Sequence, residues 1–276
     1  MLLAFFSIIS FTYSCSSPND DIAIVQPVGL AKFREISNST HTIELYSKSG
    51  KLEQGYNAIS VRIKNTATGQ YEKNATVTLV PLMHMAMMTH SCPVSAVTKS
   101  VGNDSYYDGA IIFQMAQNDT ERWELQINYA INGTDYTVAS DIDVPASARQ
   151  RVASFMGSDG ARYILALISP ENLRVAVNNM TVGLYKMESM MSFTIVDNYR
   201  IKIDPRMPSM GNHGSPNNTD LLQSAPDKLY HGNLSLTMTG YWRINLQLLN
   251  AANEILKGEA VTDENPQSSL YLETEF

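Results

Sequence analysis

Apolar and polar residues alternate with a period of two along much of the chain. His41-Thr-Ile-Glu-Leu-Tyr46, Ala58-Ile-Ser-Val-Arg-Ile63 and Ala75-Thr-Val-Thr-Leu-Val80 are rich in β-branched and aromatic residues, and Gly, Asn or Pro bounds them. Successive side chains of a strand point to opposite faces, so this pattern predicts strands with one buried face. No window of comparable length carries a helical stripe, and the expected fold class is all-β.

The two halves of the chain share an ordered set of matches. Ala75-Thr-Val-Thr-Leu-Val-Pro81-Leu-Met83 lines up with Tyr199-Arg-Ile-Lys-Ile-Asp-Pro205-Arg-Met207, and Tyr107-Asp-Gly109 with Tyr230-His-Gly232. A Met follows each of those glycines by six residues, at Met115 and Met238, in what the alternation suggests are strands. Next come Trp123-Glu-Leu-Gln-Ile127 and Trp242-Arg-Ile-Asn-Leu246, which hold the only two Trp of the sequence. Upstream, Tyr56-Asn-Ala-Ile-Ser-Val61 parallels Val177-Asn-Asn-Met-Thr-Val182. Two units of about 110 to 120 residues follow, spanning 34–145 and 146–276, with the boundary near Val144-Pro145-Ala146. Short strands with frequent turns in units of that size predict two tandem immunoglobulin-like β-sandwich domains.

Composition narrows the function classes. The 20 Lys+Arg against 27 Asp+Glu leave a net charge of −7, which argues against a general nucleic-acid binder needing a basic face. Two Cys in 276 residues exclude a disulfide-stapled fold. Leu2 to Phe11 is almost wholly apolar, too short to cross a bilayer of roughly 30 Å and of the right length for the apolar core of a signal peptide. That run, followed by Thr12-Tyr13-Ser14-Cys15, resembles the lipobox of bacterial lipoproteins, although no Lys or Arg precedes it and Tyr13 is bulky for its place. The resemblance implies a signal peptide over 1–14 and lipidation of Cys15. It also implies a polar tether over 15–33 and a bacterial cell-envelope location, anchored to the membrane on its periplasmic side or at the cell surface. An ordinary signal peptide cleaved nearby is the alternative.

Fourteen Met is a high count, and position gives it meaning. The first unit carries Pro81-Leu-Met83-His84-Met85-Ala-Met87-Met88-Thr-His90-Ser-Cys92-Pro93, and the second Pro205-Arg-Met207-Pro-Ser-Met210-Gly-Asn-His213-Gly-Ser-Pro216. Each contains Met, a second Met three or four residues on, and His three further on. Thioethers are poor ligands for hard cations and good ones for Cu(I), imidazole also serves Cu(II), and a thiolate strengthens either. The candidate metal ligands are therefore Met83, His84, Met85, Met87, Met88, His90 and Cys92 in the first segment, and Met207, Met210 and His213 in the second. In a straight strand Met83, Met85 and Met87 would share one face and His84 and Met88 the other. A turn near Met87 to His90 would gather them. The second segment has too many turn formers for a strand and reads as a loop at one end of a sandwich. Met is also a flexible core filler, the assignment preferred for Met115 and Met238, and a Met-rich patch can instead grip an apolar partner.

These segments, each followed by Tyr-x-Gly, a Met and a Trp, resemble the YtkA-like and FixH-like domains of bacterial envelope proteins over about 70 residues per unit. The first unit departs from the pattern in lacking Pro after its first Met. The resemblance implies an immunoglobulin-like sandwich and a role in copper handling, or in delivering copper to an envelope partner protein. No Gly-rich phosphate loop, Ser elbow or His-Glu-x-x-His helix occurs, and no carboxylate pair stands out for acid–base work, so an enzyme is not expected. The competing expectation is a metal-free tandem immunoglobulin-like surface module for adhesion or assembly scaffolding.

Overall fold

The computed structural model describes residues 29–223 and 226–276. The signal peptide, Cys15 and most of the tether fall on residues 1–28, outside the described residues.

The first half is built from nine strands: β1 (Ala31–Ser37), β2 (His41–Ser47), β3 (Gly55–Asn65), β4 (Ala75–His84), β5 (Thr89–His90), β6 (Thr98–Lys99), β7 (Tyr106–Phe113), β8 (Arg122–Ile131) and β9 (Thr134–Ile142). Strand β1 begins inside the stretch expected to be tether. A five-stranded sheet ordered β1-β2-β3-β7-β6 faces a four-stranded sheet ordered β5-β4-β8-β9. Strand β8 shows the pattern at work: Trp123, Leu125, Ile127, Tyr129 and Ile131 are buried, and the residues between them are half-exposed. They meet Ile43, Leu45, Ile59, Val61 and Ile63 from the other sheet in one core. Each such side chain contributes about 1.5–3 kcal/mol by leaving water.

The second half comprises β10 (Val152–Met156), β11 (Arg162–Ser169), β12 (Val177–Ser189), β13 (Ser192–Ile195), β14 (Arg200–Met207), β15 (His213–Gly214), β16 (Leu221–Leu222), β17 (Tyr230–Ser235), β18 (Tyr241–Leu249), β19 (Ile255–Lys257) and β20 (Tyr271–Glu275). Its order β10-β11-β12-β17-β16 repeats that of the five-stranded sheet, and β15-β14-β18 repeats β5-β4-β8. Here the structure departs from the expected pair of separate sheets, because β16 joins them into one of eleven strands. Leu222 pairs with Arg200 of β14 on one side and His231 of β17 on the other. Strand β20 returns beside β10: the Glu273 amide donates to the Gln150 carbonyl at 2.8 Å, and Gln150 Nε2 to the Tyr271 carbonyl at 2.8 Å. The result is a nearly closed, barrel-like sheet.

The close approach of β16 requires Gly232. A Cβ there would lie 2.7 Å from Leu221 Cδ2, 2.8 Å from the Asp220 carbonyl oxygen and 2.9 Å from that of Thr219. At Gly109, the matching position, a Cβ would meet only side-chain atoms, with Val97 Cγ2 nearest at 3.0 Å.

Three pairs of matched residues make matched hydrogen bonds. Asn57 Nδ2 donates to the carbonyls of Glu53 and Gly55, and Asn178 Nδ2 to those of Arg174 and Ala176. The Tyr107 hydroxyl donates to the Glu72 carbonyl at 3.0 Å and accepts from the Ala75 amide at 2.9 Å. The Tyr230 hydroxyl donates to the Val196 carbonyl at 2.8 Å and accepts from the Tyr199 amide at 3.2 Å. Trp123 Nε1 donates to the Met115 carbonyl, and Trp242 Nε1 to the Met238 carbonyl. Each buried indole thereby satisfies its one donor. Met115 and Met238 lie in bends just after β7 and β17 rather than in strands, half-buried against their cores. A bend turns the carbonyl inward to meet the indole, which a continuing strand would spend on its ladder.

Residues 143–151 connect the halves, which also share a small apolar cluster. Ile112 packs with Val152, Ile164, Ala166 and Tyr185, joined by the half-buried Tyr56, Met187 and Phe193.

Candidate Met/His hairpins

Both Met/His segments are tips of β-hairpins. In the first, β4 turns into β5 with Met83 opposite His90 and His84 opposite Thr89. The turn closes where the Met85 amide donates to the Met88 carbonyl at 2.9 Å, so it falls at Met85 to Met88, earlier than expected. It leaves Met87 92% exposed at the tip and Met88 exposed beside it. Met85 is half-buried against the core. In the second, Met207 stands opposite His213, and the turn between them is a 3-10 turn over Pro208–Met210. Gly211 and Asn212 continue it with left-handed φ of 66° and 59°. Met210 and His213 are exposed. The two hairpins therefore share one arrangement: a buried Met, a His directly across the ladder from it, and an exposed Met at the tip.

The first site is the more enclosed. Met83, His90 and Cys92 are all buried. The His90 ring meets the Trp123 ring edge-on with centroids 5.6 Å apart. His90 Nδ1 lies 2.8 Å from the Ser91 carbonyl oxygen. The carbonyl only accepts, and as the closer of two contacts to Nδ1 (the Gln114 Nε2 donor stands at 3.2 Å) it favours the tautomer with the proton on Nδ1 and the lone pair on Nε2. Gln114 Nε2 donates to the same carbonyl at 3.0 Å, and Ser91 Oγ donates to the Pro81 carbonyl at 2.7 Å. The Nδ1 contact orients the imidazole, as the partner of a ligating His does, and the other two bonds hold Ser91 in place beside it. His84, on the other face, is half-buried. Its Nε2 has no hydrogen-bond partner among the described residues and lies 3.7 Å from Glu124 Oε1. Burial pushes the Cys92 thiol well above its ordinary pKa, so it stays protonated and packs as a small apolar side chain. As a thiolate ligand it would have to lose that proton inside the core.

Two other histidines are committed elsewhere. His231 Nε2 pairs with Asp227 at 3.0 Å while its Nδ1 meets Thr181 Oγ1 at 3.1 Å. His41 is buried against the rings of Tyr129 and Tyr136. His84, His90 and His213, the three histidines predicted as ligands, each keep a ring nitrogen without a hydrogen bond to the described protein, as does the buried His41, whose Nε2 stands 3.9 Å from Glu72 Oε1. Met207 is buried like Met83, and a Cβ on Gly240 would touch its Cε at 3.4 Å. No hydrogen bond joins the two hairpins among the described residues.

Sequence reasoning missed one element at this site. Strands β12 and β13 form a hairpin with Met190 and Met191 at its tip, and the Ser91 amide donates to the Met190 carbonyl at 2.8 Å. The signal was Lys186-Met-Glu-Ser-Met-Met-Ser192, a Met-rich stretch without a counterpart in the first half. In comparisons with known proteins, no family model matches this chain and no curated protein matches it.

Proposed function

We propose that this is a lipid-anchored protein of the bacterial cell envelope. In this reading it binds copper, as Cu(I), through its two Met/His hairpins and hands it to, or takes it from, a partner protein of the envelope. The observation that carries the reading is the repeated register of Met83 with His90 and Met207 with His213. Directly opposed residues of an antiparallel pair have Cβ atoms about 4.5–5.5 Å apart, within reach of one ion at metal–ligand bonds of about 2.0–2.3 Å. A Met at each tip, Met87 and Met210, supplies a further thioether. The ring nitrogen left free on His90 is the one a soft metal would take.

In this proposal the halves are two YtkA-like or FixH-like domains of immunoglobulin type. The strand order supports it: β2-β3-β7-β6 facing β5-β4-β8-β9 follows the A-B-E-D and C-F-G sheets of that fold, with β5 added at the C edge.

The test is Cu(I) titration of the reduced full chain. Ligand at 100 times Kd stabilises by about 2.7 kcal/mol, so melting should shift upward by several degrees. Met83→Leu with His90→Gln should remove one equivalent, and Met207→Leu, Met210→Leu with His213→Gln the other. A wild-type chain whose melting Cu(I) leaves unmoved refutes the reading. The burial of Met83 and Met207 favours a second reading, a metal-free tandem module for adhesion or assembly scaffolding in which these methionines are packing residues only. That reading requires wild type and all the variants to melt alike with and without Cu(I).

A further inference from the structure

The β12–β13 hairpin is extended in the second half. Beside β3 the chain returns through a short turn at 66–70 and pairs back only at a single bridge, Lys64 with Tyr71, where the second half extends the pairing into the β12–β13 ladder. An extension of this kind would ordinarily end in polar turn residues, yet its tip is Ser189-Met-Met-Ser192. Both methionines stand in solvent, Met190 at 45% and Met191 at 52% exposed.

The hairpin is not free to wander. Its base is pinned by Met187 and Phe193 packing against Ile112, Ile164 and Tyr185. Its tip is pinned by the bond from the Ser91 amide to the Met190 carbonyl. Ser91 is the residue whose carbonyl holds His90 Nδ1, and the neighbouring Pro93 carbonyl accepts from the Ile112 amide at 2.9 Å. The bond brings the Cα atoms of His90 and Met190 within about 8 Å, from standard backbone dimensions. A Met side chain is long and freely rotating, so a thioether based there reaches the space around the imidazole. Two Met-tipped hairpins from different halves thus meet at Ser91, the residue after His90. Four large apolar side chains (Met87, Met88, Met190, Met191) are left exposed at these two tips, which forgoes the burial that packing them would supply.

We propose that Met190 and Met191 are ligands of the first Met/His hairpin, which makes it a soft-metal site shared between the halves. The site takes Cu(I) on thioethers from both hairpins together with His90 Nε2. This rests on the copper reading above and adds to it the second half's contribution. Metal binding then clamps the two halves across their small apolar interface, whereas the hairpin at Met207 to His213 binds within one half.

The experiment uses the reduced full chain with methyl-13C-methionine and Cu(I) buffered by a chromogenic chelator. Met190→Leu with Met191→Leu conserves volume at exposed positions, so the metal-free variant should melt as wild type does. In wild type the Met190 and Met191 methyl signals should move together with that of Met83 as the first-half site fills. The double variant should lose at least tenfold in affinity there, with fewer sulfur neighbours around copper by X-ray absorption, while the Met207 site is unchanged. If wild type binds no Cu(I), the copper reading fails and this inference with it. If wild type binds and the double variant retains both affinity and sulfur count, the shared site alone is overturned. The same follows if the Met190 and Met191 methyls stay still during filling, which would leave the exposed tip as an apolar contact surface.

Discussion

Replacing Tyr107 or Tyr230 by Phe removes one hydroxyl that serves two backbone groups. In the first half these are the Glu72 carbonyl and the Ala75 amide, and in the second the Val196 carbonyl and the Tyr199 amide. Phe fits the same ring site and leaves both groups without that partner. An unsatisfied buried polar group costs about 1–3 kcal/mol, while one that water can reach costs much less. Glu72 and Ala75 are half-exposed, so water replaces part of the loss and Tyr107→Phe should cost about 1 kcal/mol. Val196 is buried and its bond to Tyr230 is wholly enclosed, so Tyr230→Phe should cost about 2–3 kcal/mol. Each half holds a single Trp, which makes the assay specific. In a Trp242→Phe background Trp123 fluorescence reports urea unfolding of the first half, and in a Trp123→Phe background Trp242 reports the second. Each Tyr→Phe change should move the transition of its own half. The reasoning is refuted if Tyr230→Phe shifts its transition by less than Tyr107→Phe shifts its own, or if both stay within 0.3 kcal/mol of the parent, roughly the error of additivity.

Gly232→Ala should destabilise the second half by about 1–3 kcal/mol or more, because the new Cβ strikes backbone oxygens of Asp220 and Thr219 that cannot rotate away. Gly109→Ala should cost less, since only side-chain ends give way; equal urea midpoint shifts for the two would contradict this. Burial pushes the Tyr185 and Tyr230 phenols from 10.0 up to about 12, so the folded chain holds those protons more tightly than the unfolded one. Their contribution is fully present below about pH 10 and is lost as pH rises toward about 12. The urea midpoint should therefore fall across that window, and fall less in Tyr230→Phe.

Much of the fold was legible because it is written in local alternation. The run Trp123 to Ile131 needs nothing beyond its own period to become β8, and the matched Asn, Tyr and Trp positions mark bonds that recur in each half. Other features depend on contacts between distant parts. Leu221-Leu222 carries no pattern long enough to announce a strand, and β16 exists because Gly232 gives it room. The turn at Met85 to Met88 contains no Gly, Pro, Asn or Asp, so its place is set by the ladder on either side of it. The Met/His segments were found from composition and matched position. Met190 and Met191 were not, since the approach of the Met190 carbonyl to Ser91 follows from the packing of Met187 and Phe193 across the two halves.

The joining of β14 to β17 through Leu221 and Leu222 has a topological consequence. Remove those two residues' pairings and the second half falls into two sheets ordered as in the first, with every long ladder intact. The barrel is thus a sandwich with a seam, and the seam is two residues wide. The first half, whose β6 pairs with β7 alone among the described residues, is the same object with that seam unstitched.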